Sequence, residues 1–301
     1  MELKELCRMT QKEMKSFLKN ELEKRYAVVI DDDGFLYARG SMNVCLTSHM
    51  DTVYKEPPKA FIYNTQEDKL WSPQGIGGDD RCGIYMILKL LDKGFRPSII
   101  FCEDEEIGCV GSRKFTKHKD LCKEVGNDCH YIIELDRRNS HDAVFYDCAN
   151  EDFIEWVIEN SGYKEAMGSV SDISYLCSET GIAGVNFSCG YYNEHRGMEE
   201  YVILHELENT LNMVEKLIQV ETKEKFEYIE DYKYIHGYGY GYGYGYDYDC
   251  EGEYTIKYFG KKKKGIMADY YYAKNEYEAL GQFFTEHMDL CFMDIVDIEI
   301  F

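Results

Sequence analysis

Five short stretches of this chain carry side chains able to do chemistry together. "NVCLTSHMDTV" leaves its apolar run at Ser48 and sets His49 and Asp51 two residues apart. "GIGGDDRCG" places Asp79 and Asp80 in a glycine-rich loop, and "FCEDEEIG" puts Glu105 and Glu106 just after an apolar run. "IIELDRR" ends another run on Asp136, and "GYYNEHRGMEEYV" presents His195 in a loop. His, Asp and Glu are metal ligands, and in an open α/β sheet ligands bind at the carboxyl ends of the strands. Any one pair means little, because Asp-Asp and Glu-Glu are common in an acidic chain; five in order, most of them just after an apolar strand, are a pattern with a purpose. Two divalent ions about 3.5–4 Å apart repel strongly and need a bridging carboxylate with further anionic ligands around it. They also need an unligated base nearby. Zinc lowers the pKa of a bound water toward roughly 7, and a glutamate can complete the deprotonation.

The elements that must position these residues can be read from the apolar pattern. A charged amphipathic helix, "MELKELCRMTQKEMKSFLKNELEKR", opens the chain, where a secretory leader would be apolar. "AVVIDDDGFLYARG" reads as a hairpin turning at Asp33-Gly34. Val44, Cys45 and Leu46 belong to a strand that ends at His49. "GIYMILKLLDKG" has Ile84, Ile87, Leu88 and Leu91 on one helical face and stops at Gly94. "SIIFCEDEE", "HYIIELD" and "GVNFSCG" are further strands. From His205, "HELENTLNMVEKLIQV" places Leu207, Leu211, Val214 and Ile218 at helical spacing. Strands alternating with helices imply an α/β fold, a mostly parallel mixed sheet sandwiched by helices, over residues 1–222. The alternating glycines and tyrosines of "HGYGYGYGYGYDYD" mark 223–250 as a linker. Residues 251–301 read as hairpin, helix and strand, with Lys261 to Lys264 in the hairpin's exposed turn. This small α+β domain either stabilises the first one or serves as an interaction module.

The five stretches resemble the motifs of the two-zinc exopeptidase clan, which includes peptidase T, aminoacylase, carboxypeptidase G and compact zinc aminopeptidases. The clan's pattern is H-x-D, G-x-D-D/N-x-x-G, E-E-x-G, D and H. Here it stands as His49-Met50-Asp51, Gly77 to Gly83, Glu105-Glu106-Ile107-Gly108, Asp136 and His195, within roughly Val44 to Val220. The resemblance implies that Asp79 bridges two zinc ions, with His49 and Asp136 on one, and Glu106 and His195 on the other. It implies that Glu105 is the general base and that Asp51 orients the His49 imidazole. Cobalt or manganese would be substitutes for zinc. "NEHRGMEEYV" is also similar to a clan segment that adds Glu199 or Glu200 as a supporting partner. Many relatives insert a lid of about a hundred residues before the last histidine. Only 58 residues separate Asp136 from His195, so the layout is that of the lid-free aminopeptidases.

Other readings stand beside these. Asp80 is the alternative ligand to Asp79. Asp172, in "SVSDISYL", resembles a serine-aspartate segment of the relatives, and a helix N-cap at Ser171 or Asp172 explains it equally well. Tyr191, Tyr192 and Arg196 either reach a substrate or hold the His195 loop. His205 reads as a capping or surface residue, and His118, His130, His141, His236 and His287 as structural.

The implied function is a cytoplasmic metal-dependent hydrolase that cleaves amide bonds near a chain terminus, most simply an aminopeptidase. An N-acyl amino acid deacylase on the same scaffold differs only in what the pocket grips. A non-catalytic binding protein on a peptidase scaffold should have lost a ligand or the base, and none is missing. The net charge of −22 opposes broad affinity for nucleic acid or anionic membranes. No apolar run reaches the eighteen residues of a membrane span. The twelve cysteines are scattered singly, as expected of reduced thiols in a cytosolic protein.

Overall fold

The computed structural model describes residues 2–229 and, beyond them, the backbone of three strands. The chain divides into two units, Met1–Asp231 and Tyr232–Phe301. The first unit begins with α1 (Leu3–Cys7), α2 (Gln11–Glu23), β1 (Val29–Asp32), β2 (Phe35–Ala38) and β3 (Val44–His49). It continues with β4 (Ile62–Asn64), β5 (Lys69–Trp71), α3 (Gly78–Asp92), β6 (Ser98–Cys102), α4 (Val110–Phe115), α5 (Lys119–Asp128) and β7 (Tyr131–Arg137). Then come β8 (Asp142–Val144), α6 (Glu151–Ser161), β9 (Lys164–Ala166), α7 (Asp172–Thr180) and β10 (Gly184–Ser188). It closes with β11 (Tyr191–Tyr192), β12 (Tyr201–Ile203) and α8 (Leu204–Leu217).

Eight strands form one sheet in the order β1-β2-β6-β3-β7-β10-β8-β9. Its centre, β6, β3, β7 and β10, is parallel throughout. The carboxyl ends of these four strands therefore share one edge, the place where an open α/β sheet binds ligands. The hairpin of β1 and β2 extends the sheet antiparallel on one side, and β8 pairs antiparallel with β10 on the other.

Side chains alternate across each strand, so each central strand feeds two cores. Leu46, Ile99, Phe101, Ile133 and Leu135 pack on one face with α2, α3 and α8. Cys45, Ile100, Cys102 and Ile132 pack on the other with Phe115, Val125, Ile173 and Leu176 of α4, α5 and α7. Burial on both faces accounts for the nearly continuous apolar runs of these strands.

The structure differs from the sequence reading in three places. The opening helix is two helices, because the Thr10 hydroxyl accepts the Glu13 N–H while the Glu13 carboxylate accepts the Thr10 N–H, a capping box that starts α2 afresh. Helix α3 starts at Gly78 rather than Gly83, with Asp79 and Asp80 in non-helical conformation in its first turn. It is buried well beyond one face, Met86 and Leu90 included. A second sheet, antiparallel in the order β11-β12-β5-β4, went unread because its strands are only two or three residues long.

Gly83 sets how closely α3 lies on β7. A Cβ there would stand 1.9 Å from the Leu135 carbonyl oxygen and 2.6 Å from Asp80 Oδ1. Gly83→Ala is expected to destabilise the first unit by about 3 kcal/mol, read as a lowered unfolding midpoint in denaturant. An unchanged midpoint would mean that α3 can lift off the sheet freely.

The ten cysteines among the described residues are free and buried. No helix among those residues is long and apolar enough to cross a membrane. The second unit contains β13 (Gly252–Phe259), β14 (Ile266–Ala273) and β15 (Ile295–Ile300), antiparallel in the order β14-β13-β15. The Gly/Tyr tract, the lysine turn, the expected C-terminal helix, His236 and His287 lie outside the described residues.

Candidate active site

The parallel strands deliver their polar residues to one edge. His49 ends β3, Asp136 nears the end of β7, Glu105 and Glu106 follow β6, and His195 comes to them from the connection between β11 and β12 of the second sheet. The Gly77–Asp80 turn brings Asp79 and Asp80 to the same edge from the start of α3, and the peptide between these two is cis.

Asp79 lies between the two imidazoles. Its Oδ1 is 2.9 Å from His49 Nε2 and its Oδ2 is 3.2 Å from His195 Nε2. Asp136 Oδ1 stands 3.4 Å from His49 Nε2, and Glu106 Oε2 stands 2.9 Å from His195 Nε2. Asp51 lies behind this front, with Oδ1 3.1 Å from His49 Nδ1. The same carboxylate accepts the N–H groups of Glu105 and Glu106, each at 3.0 Å, and so ties the loop after β6 to the imidazole. Asp80 is turned to the protein instead. It accepts from the Ser48 hydroxyl, from the His49 N–H at 3.3 Å and from the Gly83 N–H at 2.8 Å.

Further residues hold the frame. Asn186 accepts the Asp136 N–H at 2.9 Å and donates to the Asp136 carbonyl at 3.3 Å. The buried Tyr191 hydroxyl donates to Asp136 Oδ1 at 3.3 Å. Ser171 caps α7 and lies 3.4 Å from Asp136 Oδ2, while Asp172 is fully buried in the first turn of that helix. Glu200 is buried and Glu199 exposed. Arg81 donates to the Met50 carbonyl at 2.5 Å and to the Met9 carbonyl at 3.1 Å, clamping the backbone between His49 and Asp51 to the α1–α2 junction. Away from the cluster, the Tyr192 hydroxyl donates to Glu206, Arg196 is exposed, and His205 binds Asp68 at the surface. His118, His130 and His141 bind Asp32, Thr222 and Ser140. A cleft of about 450 Å³ opens beside Asp51 and Glu106, with Met9, Val53, Tyr54, Ile76 and Ile107 among its walls.

Sequence reasoning missed Asn186, Tyr54 and the clamp role of Arg81, and left Glu199 and Glu200 undecided. Two signals were available. A lone amide in the apolar run "GVNFS" asks for a partner, and strand alternation puts Glu200 on the inward side with Val202.

So many carboxyls cannot all be ionised in a buried space. Burial pushes Asp136 up to about 8 and Glu105 up to about 9, each with further upward pressure from neighbouring carboxylates. Burial also raises Glu106. His49 is pulled down by burial, but Asp136, Asp51 and Asp79 outweigh it and leave the imidazole well above its ordinary value. Asp79 and Glu106 hold His195 up to about 11. The imidazoles thus stand in as the compensating cations of a cluster with excess negative charge. The donor set suits divalent cations. Ligand atoms of His49, Asp79 and Glu106 lie within 4.8 Å of one another, as do those of His49, Asp80 and Asp136.

No protein-family model matches the chain. Carboxypeptidase G2 of Pseudomonas sp. (strain RS-16) is 34% identical over 130 residues, a match that covers 40% of this chain and 29% of that protein. The chain thus spans under a third of the curated relative. Among solved structures, aminopeptidase PepT from Bacillus cereus is similar with a TM-score of 0.54 at 15% identity, covering 72% of this chain and 96% of that one. A tripeptidase from Staphylococcus aureus is similar with a TM-score of 0.56 at 14% identity and the same coverage, 72% and 96%. Between Asp136 and His195 this chain runs only through β8, α6, β9, α7, β10 and β11, with no inserted lid. Over 72% of its length the chain has the α/β fold of these two peptidases.

Proposed function

We propose that this chain is a metal-dependent hydrolase that cleaves peptide bonds near a chain terminus, most simply a dinuclear-zinc aminopeptidase. What supports the reading is Asp79, with one carboxylate oxygen toward each imidazole. His49 and Asp136 would hold one ion, Glu106 and His195 the other, and Asp79 would be shared. A bound zinc pair supplies Lewis acidity at the scissile carbonyl and lowers the pKa of water. The chain's own residues do the rest. Asp51 accepts from His49 Nδ1, fixing the ring with Nε2 forward. Glu105 has its backbone anchored on Asp51 and lies outside both ligand triads; burial favours its neutral form in the metal-free chain, and the charge of a bound ion pair would return it to the carboxylate that takes a proton from water and passes it to the leaving amine. The cleft beside Asp51 and Glu106 would receive the peptide.

Metal content tests this first. The purified chain should carry close to two divalent ions, cobalt or manganese replacing zinc; chelation should abolish peptide hydrolysis and zinc restore it. A chain with no affinity for divalent ions would end the reading. A panel of free-amino peptides set against N-acyl amino acids then separates an aminopeptidase from a deacylase.

A further inference from the structure

One phenol joins two of the loops that carry the cluster. Tyr54 stands three residues beyond Asp51, in the loop after β3. Its hydroxyl accepts the Gly197 N–H at 3.0 Å, two residues past His195. It donates a hydrogen bond to Glu200, and burial together with that carboxylate raises the phenol well above its ordinary pKa, which keeps the proton on the hydroxyl. Glu200 in turn accepts the N–H groups of Gly77 at 3.2 Å, Gly78 at 2.6 Å and Asp79 at 3.5 Å. The Tyr54 ring lies against Gly75, where a Cβ would stand 2.4 Å from the ring carbon that bears the hydroxyl. A continuous path of hydrogen bonds therefore runs from the backbone of the His195 loop, through Tyr54 and Glu200, to the backbone of the Asp79 turn.

The His195 loop needs such a support. Asn193, His195 and Gly197 all sit at positive φ (55°, 63° and 60°), so no strand ladder can run through it. The Arg196, Glu199 and Glu200 N–H groups bond to carbonyls of the same loop, and the Asn193 side chain donates to Glu199. The Arg138–Glu194 ion pair is half-exposed and adds little. The His195 side chain itself is 45% exposed.

We propose that Tyr54 is a positioning residue that fixes the His195 loop against the Asp79 turn. It thereby sets how far the His195–Glu106 half of the cluster stands from the His49–Asp136 half. Only the metal arm of the test rests on the two-metal reading above.

Tyr54→Phe keeps the ring against Gly75 and removes only the hydroxyl. In the metal-free chain, amide hydrogen exchange at Gly197 should quicken about tenfold or more, while Gly78, still held by Glu200, changes less. In calorimetric titration of the full chain with zinc, one of two binding steps should weaken by about 10–100-fold and the other by less than about threefold. Unchanged exchange at Gly197 overturns the proposal. So does faster exchange with both binding steps intact, which would confine the hydroxyl's effect to the loop and leave the cluster unaffected. If the unsubstituted chain binds no pair of ions, the two-metal reading falls, and the exchange rates still decide whether Tyr54 holds the loop.

Discussion

Glu105→Gln is expected to lower turnover by roughly a thousandfold or more while the chain keeps its full metal content. The change is isosteric, and the amide cannot take up a proton in the working pH range. The residue's structural bond survives, because it is the Glu105 backbone N–H that donates to Asp51 at 3.0 Å. Its side chain belongs to neither triad of metal-competent ligand atoms, whereas that of Glu106 belongs to one. The variant should therefore separate chemistry from metal binding: kcat measured on a free-amino peptide collapses, and elemental analysis still finds the metal. A near-normal rate would sink the assignment of the base even with both ions present.

Asp79→Ala should do the opposite and empty the site. Among the described residues, Asp79 is the one carboxylate with an oxygen within hydrogen-bond distance of each imidazole, at 2.9 Å and 3.2 Å. Without it, the His49–Asp136 and His195–Glu106 pairs share no ligand. Two divalent cations would then face each other with no charge between them, a repulsion of roughly 16 kcal/mol at about 4 Å if the effective dielectric is near 20. Metal content should drop from close to two ions per chain to well under one, and hydrolysis should fall to background. Asp80 does not replace it, being committed to Ser48, His49 and Gly83. Two ions retained per chain would show that the bridge lies elsewhere.

The fold and the cluster were largely legible because they depend on short-range pattern. Cys45 and Leu46 must face opposite sides of a sheet, and both are apolar, so the strand is buried on both faces and parallel neighbours follow. A strand of that kind can bring a polar residue to a ligand only at its end, which is why His49 and Asp136 stood out. Long-range partners gave no such signal. The choice between Glu199 and Glu200 was left open, although strand alternation bore on it. Tyr54 sits among prolines and lysine in an irregular loop, where no period marks an inward side. The second sheet escaped notice because strands of two or three residues carry too few alternations to be read.

The sequence by itself determined which side chains end the central strands, because burial and the two-residue period of a strand are local constraints. The resemblance already favoured Asp79 over Asp80, and only the tertiary structure supplies the physical reason that Asp79 lies between the imidazoles. That reason is the donation of the Ser48 hydroxyl and the His49 and Gly83 N–H groups to the Asp80 carboxylate, contacts between segments roughly thirty residues apart and within one helix turn. No spacing encodes the two long-range ones: they exist because α3 is pressed onto β7 at a glycine with no room for a methyl group.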